Sequence, residues 1–394
     1  MSIVLSTRVQ RIRPSPTVAM TALAAELVQQ GKDVIGLSAG EPDFETPKHI
    51  REAAIDAINS GDTKYTAVDG TLDLKKAVVK KFRTENRLKY QLDQILVSSG
   101  AKQVCYNACQ ALLGKGDEAV IPAPYWVSYP DMVRLAGADP VIVRTDNEVG
   151  FRMSGAQLAG ALTERTRVLI INSPCNPTGS AYSRSDWQSF GEILSEYPKV
   201  FVITDDIYEH IYWGAAPFCS FLEACPEFHG RTLTVNGVSK CYAMTGWRVG
   251  YAGGPVDLIR AMKNIQSQST TNACTISQAA SVAALIGDQS CVAEMCKAFK
   301  ERHDFVIQAL SSVPGVTCNA TEGSFYVFPN MSGVIKNKDI KDDVELCEMF
   351  LEQVGLALVP GAAFGSPGYL RLSFACGLET LTEAMNRIMR FVES

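Results

Sequence analysis

The sequence predicts an α/β protein whose large domain holds a mostly parallel seven-stranded sheet, joined to a smaller α+β domain. Short β-rich runs alternate with amphipathic helical segments through the middle of the chain, which is typical of a sheet with helices on both faces. The runs expected to form buried strands are residues 95–98, 118–121, 141–143, 168–172, 200–204, 232–236 and 249–252. Helical segments between them include residues 101–113, 185–195 and 256–266. Ligands of such sheets bind at the carboxyl ends of the strands.

The last third of the chain has a different order of elements. A long helical pattern covers residues 288–313, short strands are expected at 325–328, 356–359 and 369–374, and a helix closes the chain at about 378–392. This order predicts a second, α+β domain over residues 286–394. We expect residues 46–285 to form the large domain and residues 1–45 to be an N-terminal segment that belongs to the small one. The segment through Pro16, rich in arginine and proline, is expected to be extended.

Composition and charge exclude several kinds of function. The 394 residues carry a formal net charge of −5 without a basic block, so a nucleic-acid-binding surface is not expected. The N-terminal apolar run is too short for a signal peptide, and no apolar run approaches the roughly 18 residues that cross a bilayer. We therefore expect a soluble, cytoplasmic protein. Twelve cysteines then fit packed thiols, and with four isolated histidines they predict no metal site.

One motif imitates a different chemistry. Residues 36–40 match G-x-S-x-G, in which Ser38 would be the nucleophile of a serine hydrolase. That serine must lie on a turn that leads directly into a helix, whereas a loop with two prolines follows here. We interpret the match as accidental. The chain also lacks a Walker A loop and a G-x-G-x-x-G motif after a strand, which disfavours nucleotide chemistry.

Lys240 is the strongest candidate for a reactive group. A lone lysine after a strand is usually a solvated surface charge, but this one lies in an uncharged stretch where desolvation could give a nucleophilic amine. Arg248 begins the next strand, and its guanidinium suits a phosphate. Residues 98–102 end one strand and open a helix, whose free amides could also bind a phosphate. Alone, this segment would be a plain strand–helix connection; together with Arg248 it favours a phosphate site.

Two further polar segments follow strands of the predicted sheet. Asp205 and Asp206 follow the apolar run at 200–204. One carboxylate could pair with the protonated ring nitrogen of a pyridine cofactor, or it could cap the next helix. Residues 172–179 form a turn whose Asn176 amide could reach a phenolic oxygen, although by itself the segment is only a good turn sequence.

Taken in order, these residues resemble a known family. Asn-Pro-Thr-Gly at 176–179, Asp205 with Tyr208, Ser-Lys at 239–240 with Arg248 downstream, and Tyr-Leu-Arg-Leu-Ser at 369–373 closely resemble class I/II aminotransferases of fold-type I, above all the bacterial aspartate aminotransferase subgroup. The likeness covers nearly the whole chain. Each motif is weak alone, but four in this order at family-like spacing are specific. The resemblance implies an enzyme whose large domain binds pyridoxal 5′-phosphate.

The resemblance also implies which residues contact the cofactor. They are Ala101, Lys102, Trp126, Asn176, Asp205, Tyr208, Ser239, Lys240, Arg248 and Tyr65. Lys240 would form the Schiff base and move the substrate proton, Asp205 would pair with the ring nitrogen, and Tyr208 with Asn176 would hydrogen-bond the ring oxygen; Lys240, Asp205 and Tyr208 are the expected catalytic residues. Trp126, otherwise a core aromatic, would stack on the ring. The others would bind the phosphate, Tyr65 from the neighbouring subunit of an obligate homodimer.

Substrate contacts are implied in the same way. Gly40 would approach the substrate by its backbone, Arg371 would clamp the α-carboxylate, and Trp126 and Asn176 would complete the pocket. A dicarboxylic substrate needs a second cation, for which Arg13 is the candidate; a solvent-facing arginine is equally compatible with the sequence. At one position the chain departs from the family pattern, because Gly237 stands where some relatives have a phosphate-binding serine, and that contact is not expected here.

The expected reaction is ping-pong transamination between aspartate and 2-oxoglutarate. Aromatic amino acids or prephenate are alternative substrates, and a pyridoxal-phosphate β-lyase on the same fold is an alternative reaction. A transcription regulator with an aminotransferase-like domain is disfavoured because no DNA-binding domain precedes the fold. Hydrolysis through Ser38 is the remaining alternative.

Overall fold

The structure is a computed structural model that describes residues 3–12, 14 and 16–394. Its strands, in chain order, are β1 (Ile35–Gly36), β2 (Ile95–Ser98), β3 (Glu118–Ala123), β4 (Asp139–Arg144), β5 (Thr166–Asn172), β6 (Phe201–Asp205), β7 (Thr232–Gly237), β8 (Gly250–Gly253), β9 (Tyr326–Val327), β10 (Leu356–Ala357), β11 (Val359–Pro360) and β12 (Leu370–Ser373). Its α-helices are α1 (Thr7–Gln10), α2 (Pro16–Gln29), α3 (Lys48–Asn59), α4 (Leu72–Glu85), α5 (Ala101–Leu112), α6 (Tyr129–Leu135), α7 (Gly155–Ala161), α8 (Arg184–Ser195), α9 (Phe221–Ala224), α10 (Val256–Ser267), α11 (Thr275–Ile286), α12 (Ser290–Ser311), α13 (Ser332–Asn337), α14 (Asp343–Val354) and α15 (Leu378–Glu393).

Seven strands form a central sheet in the order β2-β8-β7-β6-β5-β3-β4. Five neighbouring strands, β7, β6, β5, β3 and β4, pair in parallel, and β8 is antiparallel to both of its neighbours, β7 and β2. These are the seven strands that the sequence predicts, so a mostly parallel sheet is confirmed. Asn172 at the end of β5 pairs in register with Asp205 at the end of β6, which brings two predicted site segments level with each other.

The apolar runs form strands because both faces of the sheet are buried. Successive side chains of a strand point to opposite faces. In β2, Ile95 and Val97 accordingly join a core that includes Val78 and Phe82 of α4, whereas Leu96 joins a separate core with Val104 of α5. Helices therefore cover both faces, and the sheet ends are the place left for polar groups.

The last third of the chain packs around the antiparallel sheet β11-β12-β9. Side chains of α12, α14 and α15, such as Phe299, Phe350 and Leu381, form its core. The N-terminal segment joins this region because β1 pairs in parallel with β10, with Ile35 opposite Leu356. The domain limits at residues 45 and 285 stay a prediction.

The segment before Pro16 differs from the expectation of an extended chain. Residues Thr7–Gln10 form one helical turn, and α2 begins at Pro16 itself. Proline is favoured in the first turn of a helix because its φ is already helical and its missing N–H would be unpaired there. Arg11 then contacts Asp139 at 3.1 Å, which holds the short helix against the start of β4.

Two findings concern the chain as a whole. Among the residues that the structure describes, no helix has both the length and the apolar character needed to cross a bilayer. All twelve cysteines are free thiols, as the sequence predicts.

Candidate active site

A cavity of about 610 Å³ opens where the carboxyl ends of β5 and β6 face the loops after β1 and β7. The predicted site residues that line it are Gly40, Ala101, Lys102, Trp126, Asn176, Asp205, Tyr208, Ser239, Lys240, Arg248 and Arg371. Two predicted residues are not among them. Tyr65 is 90% exposed and lies away from the cavity, and Arg13 lies outside the described residues.

Lys240 reaches the cavity from the turn that follows β7. Its Nζ donates a hydrogen bond of 2.6 Å to the carbonyl oxygen of Gly40, and within the described part of the chain it forms no ion pair with a carboxylate. Burial, and then the positive charges of Arg371 and Arg248, lower the pKa of Lys240 to about 8. About a tenth of this amine is therefore unprotonated at pH 7, and about half near pH 8, which supplies the neutral form that a nucleophilic lysine requires.

Asp205 presents a buried carboxylate to the same cavity. Tyr129 donates a hydrogen bond of 2.6 Å to its Oδ2, and the backbone N–H of Ile207 lies 3.4 Å from its Oδ1. Burial raises the pKa of Asp205 to about 6, although these two hydrogen bonds and the charge of Lys240 act in the opposite direction. The carboxylate is thus mainly ionised at neutral pH, and its Oδ1 retains capacity to accept a strong hydrogen bond from a cation.

A second group of residues forms an anion cradle at the start of α5. Gly100 precedes this helix with a φ of +86°, and a Cβ there would lie 2.5 Å from an Nη2 of Arg248. A Cβ on Gly250 would lie 2.1 Å from the amide nitrogen of Ala101. Glycine at position 100 lets the guanidinium lie against the residue before α5, and glycine at position 250 lets β8 approach the first amide of that helix. Two donors of different kinds, a cation and a helix end, therefore converge as a phosphate requires.

Arg371 forms the opposite wall of the cavity. It is 2% exposed, donates to the carbonyl oxygen of Ser38 at 2.5 Å and to Oδ1 of Asn176 at 3.1 Å, and lies 4.6 Å above the ring of Tyr326. Its Nε has no hydrogen-bond partner among the described residues. A buried guanidinium without a carboxylate partner is costly, and it fits a receptor for a substrate carboxylate.

Trp126 and Asn176, two further predicted site residues, are each held by neighbouring side chains. The ring of Trp126 packs edge-on against Tyr129 at 5.2 Å, and the ammonium of Lys102 lies 4.9 Å from the Trp126 ring. The backbone N–H of Asn176 donates at 2.7 Å to Oδ1 of Asn172, and the Nδ2 of Asn172 donates at 2.7 Å to the Asp205 carbonyl oxygen. The turn that carries Asn176 is therefore anchored to the end of β6.

Sequence reasoning missed Tyr326. Its hydroxyl shares a hydrogen bond of 3.1 Å with that of Tyr208, and a Cβ on Gly40 would lie 2.8 Å from this oxygen. Tyr326 thus explains why residue 40 is glycine, and it connects Tyr208 with Arg371. The available signal was a polar aromatic residue inside the apolar strand at 325–328, which sequence alone does not separate from a core position.

The surroundings of Ser38 and of Gly237 agree with their sequences. Ser38 follows β1 and is succeeded by an irregular loop up to α3, so no nucleophile elbow exists there. At Gly237, a Cβ would lie 3.0 Å from the carbonyl oxygen of Val249. The departure at this position thus accompanies a close approach of β7 and β8.

These groups fit pyridoxal 5′-phosphate. The cavity contains a free amine for its aldehyde, a buried carboxylate for its ring nitrogen and an anion cradle for its phosphate. Arg371 remains available for a substrate.

Comparison with known proteins agrees with this fit. The family model for aminotransferases of class I and II matches residues 32–388. An aspartate/prephenate aminotransferase from Nitrosomonas europaea is 51% identical over 390 residues, which cover 98% of each chain. An aspartate aminotransferase from Rhizobium meliloti is 47% identical, over 97% of this chain and 95% of the relative.

Solved structures lead to the same family. The crystal structure of the aspartate aminotransferase from Rhizobium meliloti superposes with a TM-score of 0.95 at 46% identity, covering 100% of this chain and 99% of the other. The enzyme from Thermus thermophilus with maleate gives 0.93 at 40% identity, covering 99% and 100%. The chain therefore belongs to the class I and II aminotransferases, enzymes of fold-type I that depend on pyridoxal 5′-phosphate.

Proposed function

We propose that this enzyme transfers the amino group of aspartate to 2-oxoglutarate by a ping-pong reaction. The observation that carries the proposal is the convergence of three charged groups on one cavity: the buried Asp205 and Arg371 and the half-buried Lys240, none of which has an ion-pair partner among the described residues. Relatives that are named aspartate aminotransferase, similar over nearly their whole length, support the choice of substrate.

The residues in the cavity would hold the cofactor at both ends. Lys240 would bind its aldehyde carbon, and Asp205 would accept a hydrogen bond from its ring nitrogen and keep that nitrogen protonated. Arg248, Ser239 and the first amides of α5 would bind its phosphate, while Tyr208 and Asn176 would donate to its ring oxygen and Trp126 would stack on its ring. When bound, pyridoxal phosphate supplies an electron sink that makes the Cα–H bond of the amino acid acidic.

The protein's own groups then orient the substrate and move its proton. Arg371 binds the α-carboxylate through two parallel N–H donors, which fixes the Cα–H bond relative to Lys240. Once the substrate has released it from the cofactor, the Lys240 amine would take up this proton on Nζ and would give it up again to complete the transfer. Its pKa of about 8 suits both directions of transfer, because a base and its conjugate acid are both populated near that pH.

The second carboxylate of aspartate needs another cation. Four lysines and arginines line the cavity among the described residues. Arg371, Arg248 and Lys240 already have proposed roles, so the side chain of Lys102 is the remaining cation. Arg13, the candidate from the sequence, lies outside the described residues. Kinetics of Lys102→Met and Arg13→Ala separate the two. Loss of the cation that binds the side-chain carboxylate should raise KM for aspartate much more than KM for alanine. Equal effects on both donors would remove that residue from the assignment.

We also propose an obligate homodimer that acts in the cytoplasm. Tyr65 is a fully exposed tyrosine, and a second cavity of about 1150 Å³ opens beside Arg248 and Lys102 at the phosphate cradle. Tyr65 of the neighbouring subunit would enter there. Light scattering should give a dimer, and hybrid dimers of Lys240→Ala with Tyr65→Ala should regain part of the activity that each homodimer lacks. A monomer with full activity would contradict this proposal.

A donor panel tests the function as a whole. The purified protein should lose its yellow colour with aspartate and regain it with 2-oxoglutarate. Borohydride reduction followed by peptide mapping should place the cofactor on Lys240. Aromatic amino donors, and prephenate as an alternative oxo-acid acceptor, belong in the panel, because one similar relative is named aspartate/prephenate aminotransferase. Release of pyruvate from cystathionine without loss of colour would instead indicate a β-lyase.

A further inference from the structure

A second set of charged groups is buried next to the active site and takes no part in the proposed chemistry. Lys81 of α4 is 2% exposed and Glu209 is 7% exposed, and their side chains are in direct contact. Asn86 accepts from the Lys81 Nζ at 2.6 Å and donates to Oε2 of Glu209 at 2.5 Å. Burying an ion pair costs several kcal/mol per ion, and apolar residues of similar volume are often as stable. Stability alone is therefore a weak reason for this pair.

The pair is attached to the two segments that carry the catalytic groups. Glu209 directly follows Tyr208, and Asn236 lies four residues before Lys240. Asn236 donates from Nδ2 to Oε1 of Glu209 at 2.8 Å and accepts the backbone N–H of Gly237 on its Oδ1 at 2.7 Å. One side chain thus connects the Glu209 carboxylate with the backbone of the turn that leads to Lys240.

Among the described residues, backbone hydrogen bonds do not connect these two segments beyond the ends of β6 and β7. Register pairing of β6 with β7 ends at Asp205 and Val235, and the N–H of Asp206 donates once more to the Val235 carbonyl at 2.9 Å. Beyond it, the described residues show no backbone hydrogen bond between the turn of Tyr208 and the turn of Lys240. Side chains alone bridge the two segments there.

A metal site is a poorer explanation of the same cluster. Glu85, Glu209 and His210 lie close enough to share a cation. However, the Lys81 ammonium already contacts both carboxylates, with Glu85 at 3.6 Å. The cluster thus carries its own positive charge.

We propose that Glu209, held by Lys81, is a positioning residue that sets the distance between Tyr208 and Lys240 through Asn236. This inference rests on the proposed function, since it takes Tyr208 and Lys240 as the working groups. The Tyr208 ring lies 5.8 Å from the Lys240 Nζ. Misplacement of reacting groups by about 1 Å can cost about 100-fold in rate, so a loosened turn has a measurable consequence.

Two double variants separate positioning from stability. Lys81→Met with Glu209→Gln removes both charges but keeps an amide oxygen that accepts from Asn236. Lys81→Met with Glu209→Met removes both charges and the acceptor together. Neither leaves a buried unpaired charge, so both should fold. The second also leaves the Asn236 and Asn86 amides without their acceptor on residue 209, so its apo form should melt at a lower temperature.

The two variants should differ in catalysis. We expect the Glu209→Gln double variant to stay within about threefold of wild-type kcat, and the Glu209→Met double variant to lose at least about tenfold, with KM for aspartate changed by less than about threefold. The pH at which the absorbance of the lysine-bound cofactor changes should shift only in the second variant. In the apo proteins, the rate at which an amine-directed reagent labels Lys240 should change in the same variant alone.

Asn236→Ala provides an independent route to the same link, because it leaves Lys81 and Glu209 paired. It should reproduce the kcat loss and the changed labelling of Lys240. Equal kcat and equal labelling in the two double variants would overturn the proposal, as would a loss of kcat in the second variant that leaves the labelling of Lys240 unchanged. A wild type without transaminase activity would instead contradict the proposed function, so the two failures are distinguishable.

Discussion

Lys81 and Lys240 are both lysines in buried surroundings, yet the groups that contact their amines differ in charge. The Lys81 ammonium contacts the carboxylate of Glu209 and the amide oxygen of Asn86. The Lys240 amine has one carbonyl oxygen, that of Gly40, as its hydrogen-bond partner in the described structure. One lysine is therefore held against a carboxylate, and the other is kept away from negative charge.

The difference shows how the same side chain becomes structural or reactive. Burial disfavours the ammonium form of any lysine, and a nearby carboxylate restores it. Around Lys240 the strongest charges are the guanidinium groups of Arg371 and Arg248, which add to the effect of burial and lower its pKa to about 8. The surroundings, and not the residue type, select the nucleophile.

Substituting Lys240 by methionine should give the largest effect. The variant keeps the aliphatic chain and loses the amine that we propose binds the cofactor and moves the proton, so kcat should fall by at least about 10⁴-fold. Its apo form should be no less stable than wild type at neutral pH, because a desolvated amine is removed. Steady-state kinetics and denaturant unfolding measure the two quantities. A marked loss of stability would mean that Lys240 also serves the fold.

The same substitution at Lys81 should act on stability first. Lys81→Met leaves the Glu209 carboxylate buried without its cation, which should reduce the free energy of unfolding by about 3–5 kcal/mol. Denaturant unfolding of the apo protein measures this directly. The double variant with Glu209→Gln is the control and should recover most of the loss. A single variant as stable as wild type would show that the hydrogen bonds from Asn86 and Asn236, together with the nearby His210, already stabilise the carboxylate.

The fold was largely predictable, and the reason lies in its burial. A strand covered on both faces leaves an uninterrupted apolar run, such as residues 95–98, and each of the seven central strands could be found in this way. The turn Thr7–Gln10 could not, because it buries no residue and depends on a contact between Arg11 and Asp139 that is 128 residues away. Local sequence does not encode a distant partner.

The same limit separates the predicted from the missed site residues. Lys240, Asp205 and Arg248 follow or begin strands, where the topology of the sheet brings polar groups together. By contrast, Tyr326 resembles a core residue of its strand, and Lys81 resembles a solvated charge in a lysine-rich helix. Their significance comes from Tyr208 and Glu209, which are more than 100 residues distant in sequence.

Arg371→Lys tests the other side of the comparison, the cations that surround Lys240. Lysine keeps the charge but cannot donate two parallel hydrogen bonds to a carboxylate. The variant should therefore lose about 1.5–3 kcal/mol of transition-state stabilisation, which lowers kcat/KM roughly 10–100-fold. The loss should be similar for aspartate and alanine because both have an α-carboxylate. A loss confined to aspartate would instead assign Arg371 to the side-chain carboxylate.

The proton on Lys240 should make stability depend on pH in a defined window. Its folded pKa of about 8 is below the value of about 10.4 for an unfolded lysine, so the folded state releases this proton first. The cost of the buried ammonium is fully present below pH 8 and is relieved as pH rises toward 10.4. The stability of apo wild type should therefore rise relative to Lys240→Met across this window, as measured by denaturant unfolding. A constant difference would contradict it.

Glu41→Gln should have the smallest effect and sharpens the comparison most. The Glu41 carboxylate raises the pKa of Lys240 and accepts a hydrogen bond of 2.9 Å from Thr245, which an amide oxygen can still accept. The variant should therefore lower the pH midpoint at which an amine-directed reagent labels Lys240 in the apo protein. Glu85→Gln, beside Lys81, is the matched control and should leave this midpoint unchanged. If Glu41→Gln also leaves it unchanged, burial and the arginines alone keep Lys240 reactive, and the loop that carries Gly40 serves only to position it.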